Sequence, residues 1–386
     1  MRPRSVLITI GLVLAVVSGG GAWLAQSARG PENRTRTYYI AADDVVWDYA
    51  PTGMNQMSGQ PFTDAEKRFM EPGPTTIGRT LKKALYREYT DSTFTTVRPH
   101  PPEWEHLGFL GPMIRAVVGD TIRVVFRNNT TFPASVHPHG VFYDKDSEGA
   151  PYEDGTADGD KADDGVPPGG THVYTWAVPE RAGPTQHEGS TAFWMYHSHT
   201  DEVRDIATGL LGPMIITRRS MANDDATPRD VDRELVAGFI EVDENQSWYL
   251  EHNVQQYATQ PDSITIGPNP FGGISALPVP PWHFRETING FTYGHTPGFT
   301  MRVGQRVRWY LMGSTNFEFH APHWHGNVVV LDGMRSDVAG LLPMGMAVAD
   351  MVPDNPGRWF FHCHLSDHLR MGMQSYFTVE PAVVAN

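Results

Sequence analysis

Among 386 residues there is a single cysteine, Cys363. It has no partner in its own chain, so an intrachain disulfide is excluded and the thiol is left for chemistry. Basic residues are also few. The 30 Lys and Arg stand against 44 Asp and Glu, for a formal charge of −14. That balance argues for no nucleic acid partner and for a surface that concentrates cations. Beyond the N-terminus there is no long apolar run. The one present, VLITIGLVLAVV within residues 1–28, follows Arg2 and Arg4 and precedes the small residues around Ala25 and Ala28. This is the build of a signal peptide, and no adjacent arginine pair marks a twin-arginine route. The glycines at 19–21 favour cleavage over an uncleaved membrane anchor, so an exported, periplasmic or extracellular protein is expected. Pro and Gly are abundant and short strand-like runs recur, which favours an all-β fold; the length allows two to three domains.

The most informative stretch runs from Phe361 to Met373, FHCHLSDHLRMGM, after the strand-like GRWFF. Side chains alternate along a strand, so His362 and His364 point one way and Cys363 the other. One strand can thus serve two metal sites. Cys363, His368 and Met373 offer a thiolate, an imidazole and a thioether, and one more histidine completes the ligand set of a blue copper site. HAPHWHG supplies candidates in His320, His323 and His325. Zinc is the competing metal for an isolated His-Cys-His run. The further pairs His137/His139, His197/His199 and His323/His325 favour copper.

The chain also repeats itself. TMRVGQRVRWYLMG (300–313) matches MIRAVVGDTIRVVFRN, HAPHWHG matches ASVHPHG, GRWFFHCH matches AFWMYHSH, and QSYFTV matches PMIITR. A repeat this long is a duplicated domain, each copy with seven or eight short strands as a Greek-key sandwich needs. The copies span 36–218 and 233–386, joined by a polar linker at 219–232. Where the second copy has His320, Cys363 and His368, the same spacing in the first gives Ala134, Ser198 and Val203. Blue copper is therefore expected in the second copy alone.

The segments YYIAADDVVWDYAP, LYREYTD, EHLGFLGPMIRAVVGDTIRVVFRN and DIATGLLGPMIIT, with the copper motifs, resemble the cupredoxin-like (plastocyanin-like) A domains of ceruloplasmin, hephaestin and the coagulation factors. The resemblance covers most of 38–218 and 283–380. With two such domains in place of six, the chain is similar in plan to the two-domain multicopper oxidases known as small laccases. That resemblance implies one-electron oxidation of a donor, either Fe(II) or another reduced metal ion or phenols and aromatic amines, coupled to four-electron reduction of dioxygen to water. It implies a homotrimer with a trinuclear copper centre between subunits. It implies type 1 copper on His320, Cys363 and His368 with Met373 axial, type 2 copper on His137 and His323, and type 3 coppers on His139, His197, His199, His325, His362 and His364. A copper storage or sensing protein and a copper nitrite reductase are the alternatives; the latter places its blue copper in the first domain, where this chain has Ser198.

Two further sites are expected. Asp367 precedes His368, and Glu286 lies in RETING, which resembles the iron-site segment of ceruloplasmin. Ceruloplasmin has a histidine where Glu286 aligns, and Pro281 replaces an acidic residue. Asp367, with Glu286, would hold a cation or orient a phenol. The acidic loop Tyr143–Val166 is costly unless its carboxylates stay solvated or bind a cation. Lys145, Glu148, Asp154, Asp160, Asp163 and Asp164 are spaced as in the calcium loop of the coagulation-factor A domains, with Lys145 giving its carbonyl oxygen. That resemblance implies a Ca2+ site; a solvated loop and a proton relay are the alternatives.

Overall fold

The computed structural model describes residues 32–268, 274–277, 281–313 and 318–382. Residues 1–28, where a signal peptide is expected, lie outside them. The first half forms β1 (Thr35–Asp48), β2 (Thr80–Tyr89), β3 (Ile114–Val117), β4 (Thr121–Asn128), β5 (His137–Pro138), β6 (Thr171–Ala177), β7 (Thr191–His197) and β8 (Leu211–Thr217). They pair as two four-stranded sheets, β2-β1-β4-β6 and β3-β8-β7-β5. The second half forms β9 (Arg233–Asp243), a separate hairpin of β10 (Thr265–Pro268) and β11 (Ile274–Leu277), then β12 (Phe284–Ile288), β13 (Thr300–Arg302), β14 (Val307–Gly313), β15 (Pro322–Trp324), β16 (Val329–Leu331), β17 (Met334–Ser336), β18 (Met346–Met351), β19 (Gly357–Cys363) and β20 (Gln374–Glu380). Its sheets are β12-β9-β14-β18-β16-β17 and β13-β20-β19-β15.

The duplication is preserved in strand pairing. β1 runs parallel to β4 as β9 does to β14, and β3 parallel to β8 as β13 does to β20. β5 pairs with β7 through His137↔His197, and β15 with β19 through His323↔His362. Parallel neighbours distant in sequence mark the crossovers of a Greek-key sandwich, and the fold is all-β of cupredoxin type.

Strand composition follows from what covers each face. In β4 burial alternates, with Ile122, Val124 and Phe126 inward. β14 is buried along its whole length, because both of its faces are covered. Val307, Trp309 and Leu311 enter the core of the second sandwich. Tyr310 and Met312 face the other way, into a core shared with Phe193, Met195 and Ile215 of the first. Full burial of side chains this size stabilises by about 1.5–3 kcal/mol each, so the two sandwiches are held together by packing.

A short helix, Asp64–Met70, is started by a capping box between Thr63 and Glu66. One segment differs from the sequence reading. The 219–232 segment is pinned: Ala222 and Ala226 are buried against Val117, and Thr217 Oγ1 donates to the Ala226 carbonyl at 2.6 Å.

Candidate metal centres

The two faces of β19 lead to two kinds of site. On the inner face, Cys363 is fully buried among Phe361, Met373 and Leu341. His320 and His368 bring their Nδ1 atoms to 3.2 Å of each other, and His368 Nδ1 lies 3.6 Å from Cys363 Sγ. The Ala321 backbone N–H donates to that sulfur at 3.3 Å. His320 comes from the loop before β15 and His368 from the turn of helix Ser366–Arg370 after β19. Burial pushes His320 down to about 3 and His368 below its usual value, so both rings are neutral. Burial also raises the Cys363 pKa, so the thiolate needs a cation beside it. Neutral imidazoles, a sulfur that can ionise and a buried thioether fit copper.

On the outer face are histidine quartets, one per sandwich. His323, His325, His362 and His364 form one set, with ring centroids 4.6 Å apart for His323/His325 and 5.1 Å for His323/His364. His137, His139, His197 and His199 form the other, with 5.1 Å between His137 and His199. In each set two Nε2 atoms converge at 3.1 Å, His325 with His362 and His139 with His197. The opposite ring nitrogen is tied to the main chain: His137 Nδ1 to the Glu148 carbonyl (2.6 Å), His323 to Asp337 (2.8 Å), His362 to Cys363 (2.7 Å) and His197 to Ser198 (3.0 Å). A ring whose Nδ1–H donates to a carbonyl presents a bare Nε2, the ligand tautomer. Burial holds His139 and His362 at about 4 and pushes His197 well below its ordinary value. After His137/His139 and after His323/His325 the chain turns at a glycine with positive φ, Gly140 (+77°) and Gly326 (+67°). A Cβ at either would overlap an indole, Trp194 or Trp359. Among the described residues, no ring of one quartet contacts a ring of the other, and their tight donor groups are separate.

Glu286 is 2% exposed on β12, with Oε2 lying 3.8 Å from His368 Nδ1 and lacking a hydrogen-bond partner. The β12–β9 register sets Glu241 opposite it, and Glu241, Glu286 and His368 converge as a third kind of donor group. Burial, then the Glu241 carboxylate, pushes Glu286 well above the usual carboxylate range. The sequence reading missed Glu241; only the strand register reveals it. Asp367, by contrast, is exposed at the start of its helix.

The acidic loop is arranged differently from the expectation for Lys145. Its ammonium bonds Glu148 Oε2 at 2.6 Å and lies 3.4 Å from Asp154. Asp163 is buried, with Oδ2 accepting from the Gly149 N–H at 2.7 Å and Oδ1 without a partner. Asp160 is exposed and Asp164 half-buried. Among the described residues the loop supplies none of the tight donor groups.

A buried His-Cys-His-Met cluster beside paired His-x-His motifs on cupredoxin sandwiches defines a copper redox protein. Multicopper oxidase family profiles match residues 107–221 and 260–383. The chain belongs to the multicopper oxidase family, whose members use copper. It is 42% identical over 350 residues to Ferroxidase HEPHL1 of Homo sapiens, covering 90% of this chain and 29% of that protein. Human hephaestin is 40% identical (92% and 30% covered), and human ceruloplasmin 37% (90% and 32% covered). The chain thus spans less than a third of the length of these relatives. Similar solved structures include a multicopper oxidase (TM-score 0.54, 18% identity, 90% and 89% covered) and the blue copper oxidase from Nitrosomonas europaea (TM-score 0.52, 18% identity, 91% and 86% covered). At that identity they support the fold. Among the described residues no helix is long and apolar enough to cross a membrane.

Proposed function

We propose that the chain is an exported oxidase that takes single electrons from a reduced donor beside His320, Cys363, His368 and Met373, and reduces dioxygen to water at sites built from the two quartets. The observation that carries this reading is the single strand β19, which presents Cys363 to one site and His362 to the other. Copper, when bound, supplies the one-electron redox chemistry. The chain's own part is to bury the thiol, to donate the Ala321 N–H to its sulfur, and to orient the imidazoles through main-chain carbonyls. Cys363→Ser should abolish both the intense visible absorption and oxygen uptake; strong blue colour in that variant would sink the reading.

The quartets act as half-centres, completed when the first sandwich of one subunit meets the second of the next in a homotrimer. The support is their separateness within one chain and the likeness to two-domain laccases. His137 and His323 would share the type 2 copper, and the other six histidines the type 3 pair. A fully active monomer by light scattering would refute the trimer.

For the donor, a reduced metal ion such as Fe(II) is favoured over a phenol or aromatic amine, because the carboxylates of Glu241 and Glu286 converge on His368. Glu286 is the binding group, with Glu241 beside it and Asp367 at the approach. Losing one carboxylate near a cation costs a few kcal/mol at an effective dielectric near 20. Glu286→Gln should therefore raise the KM for Fe(II) at least about tenfold; an unchanged KM would exclude this site. In the acidic loop, Ca2+ would displace the Lys145 ammonium and use Glu148, Asp154, Asp160, Asp163, Asp164 and the Lys145 carbonyl. Calcium should then raise the melting temperature, and the Asp163→Ala/Asp164→Ala variant should not respond. A melting temperature indifferent to chelation would end that proposal.

A further inference from the structure

The first sandwich lacks the cysteine, yet the corresponding corner is filled by a specific polar arrangement. In the second sandwich the Ala321 N–H donates to Cys363 Sγ, and His368 lies beside that sulfur at 3.6 Å. In the first, the Ser135 N–H donates to Ser198 Oγ at 3.0 Å, and Ser198 Oγ donates to Asp205 Oδ2 at 2.6 Å. Ser135 and Ala321 hold the same place in the repeat, as do Ser198 and Cys363. Asp205 therefore stands to Ser198 as His368 stands to Cys363. Spacing alone points to Val203 for that place, but Val203 is turned outward and 44% exposed.

Asp205 is wholly buried and accepts two further hydrogen bonds, from the Asp201 N–H at 3.0 Å and from Trp248 Nε1 at 2.8 Å. Trp248 comes from the second half of the chain, after β9. Its ring is stacked on Phe132 at 4.9 Å, with the Arg204 guanidinium 3.5 Å from its centroid. Ser198 lies between His197 and His199 in sequence, and His197 Nδ1 is bonded to the Ser198 carbonyl. Ser135 Oγ accepts the His199 N–H at 3.0 Å and donates to the Gly149 carbonyl at 2.6 Å. Two of these bonds reach the histidines themselves, the Ser198 carbonyl on the His197 ring and Ser135 Oγ on the His199 N–H.

We propose that Asp205 is the positioning residue of the first histidine quartet: a Ser198–Asp205 hydrogen-bonded pair replaces the metal-bound cysteine of the second sandwich and fixes His197 and His199 from behind. Trp248 ties that pair to the other half of the chain. This rests on the reading that the quartets hold copper, and it assigns a role to residues outside the ligand set.

The test uses the full chain loaded with copper and three variants, Ser198→Ala, Asp205→Asn and Trp248→Phe. Blue absorption reports the Cys363 site, while total copper and the type 2 and type 3 spectral signals report the quartets. Orienting partners of metal-bound histidine are worth about 10–100-fold in metal affinity. Ser198→Ala and Asp205→Asn should retain the blue absorption per chain and hold the remaining copper about tenfold less well against a chelator. Trp248→Phe should shift it the same way by less. A parallel loss of blue and non-blue copper would mean general destabilisation and overturn the proposal, as would full retention of both. If Asp205→Asn yields no folded protein, Ser198→Ala decides, since it removes one oxygen atom. Wild-type protein that holds only blue copper would refute the copper-quartet reading itself.

Discussion

Lys83→Met should destabilise the copper-free protein by about 3 kcal/mol, the lower end of what breaking a buried ion pair costs. Lys83 and Glu244 are both essentially inaccessible, with Nζ 2.7 Å from Oε1. They join β2 of the first sandwich to the turn after β9 of the second. Desolvation lowers the Lys83 pKa, opposed first by the charge attraction of Glu244 and then by its hydrogen bond. Nζ also donates to the Ala207 carbonyl at 2.6 Å, and Tyr49 OH donates to the same Glu244 oxygen at 2.5 Å. Methionine fills the lysine's volume but leaves Glu244 charged and Ala207 unpaired. The lower end applies because Arg285 is also close enough to interact with Glu244, and Tyr49 stays in place. Glu244→Gln in the Lys83→Met background removes the stranded charge, so the double variant should recover a large part of the loss. The assay is denaturant unfolding of all four proteins, with fluorescence and circular dichroism compared to check that the halves unfold together. Single variants within about 0.5 kcal/mol of wild type, or strictly additive losses, would show that burial here does not set the energetics.

Three further outcomes are expected. Copper-free wild type and Asp205→Asn should diverge with pH. Burial raises Asp205 to about 6, so the folded state binds more protons than the unfolded state between about pH 4 and 6, and wild-type stability falls as pH rises through that window. The variant lacks this slope, so its stability relative to wild type should climb by about 3 kcal/mol from pH 4 to 7; the buried imidazoles, which act with the opposite sign, cancel in the difference, and a flat difference would contradict the assignment. Gly326→Ala forces a side chain to positive φ against Trp359, at a cost of about 1–2 kcal/mol before the clash, and should loosen copper at the second quartet; titration showing wild-type affinity would contradict this. Trp324→Phe should cost little beyond packing, about 1–2 kcal/mol by thermal unfolding, because its buried Nε1 has no partner to lose.

The His-x-His pairs, the Cys363 stretch and the strand repeat were legible because period-two alternation is local: GRWFFHC places Cys363 and His362 on opposite faces whatever surrounds it. The helix Asp64–Met70 was legible in principle, since Thr63 and Glu66 spell a capping box, but it is shorter than most periodic signals. Asp205 and Glu241 were not legible. Asp205 acquires its meaning from Trp248, 43 residues away in the other half of the chain, and from a helix that turns Val203 out. Glu241 meets Glu286 only through the β9–β12 register. The Lys145 ammonium was unreadable for a related reason: a flexible four-carbon stem reaches whichever carboxylates the loop brings close.

Four of the eight quartet imidazoles are oriented by main-chain carbonyls, not by side chains. A side-chain orienter can be deleted by one codon change, whereas a carbonyl is present whatever residue bears it. The protonation pattern of these rings is therefore inherited with the strand path, not with any particular amino acid. Homologues can drift at position 337 without losing the ligand tautomer. Insertions or deletions in the loops that carry those carbonyls would be the damaging events.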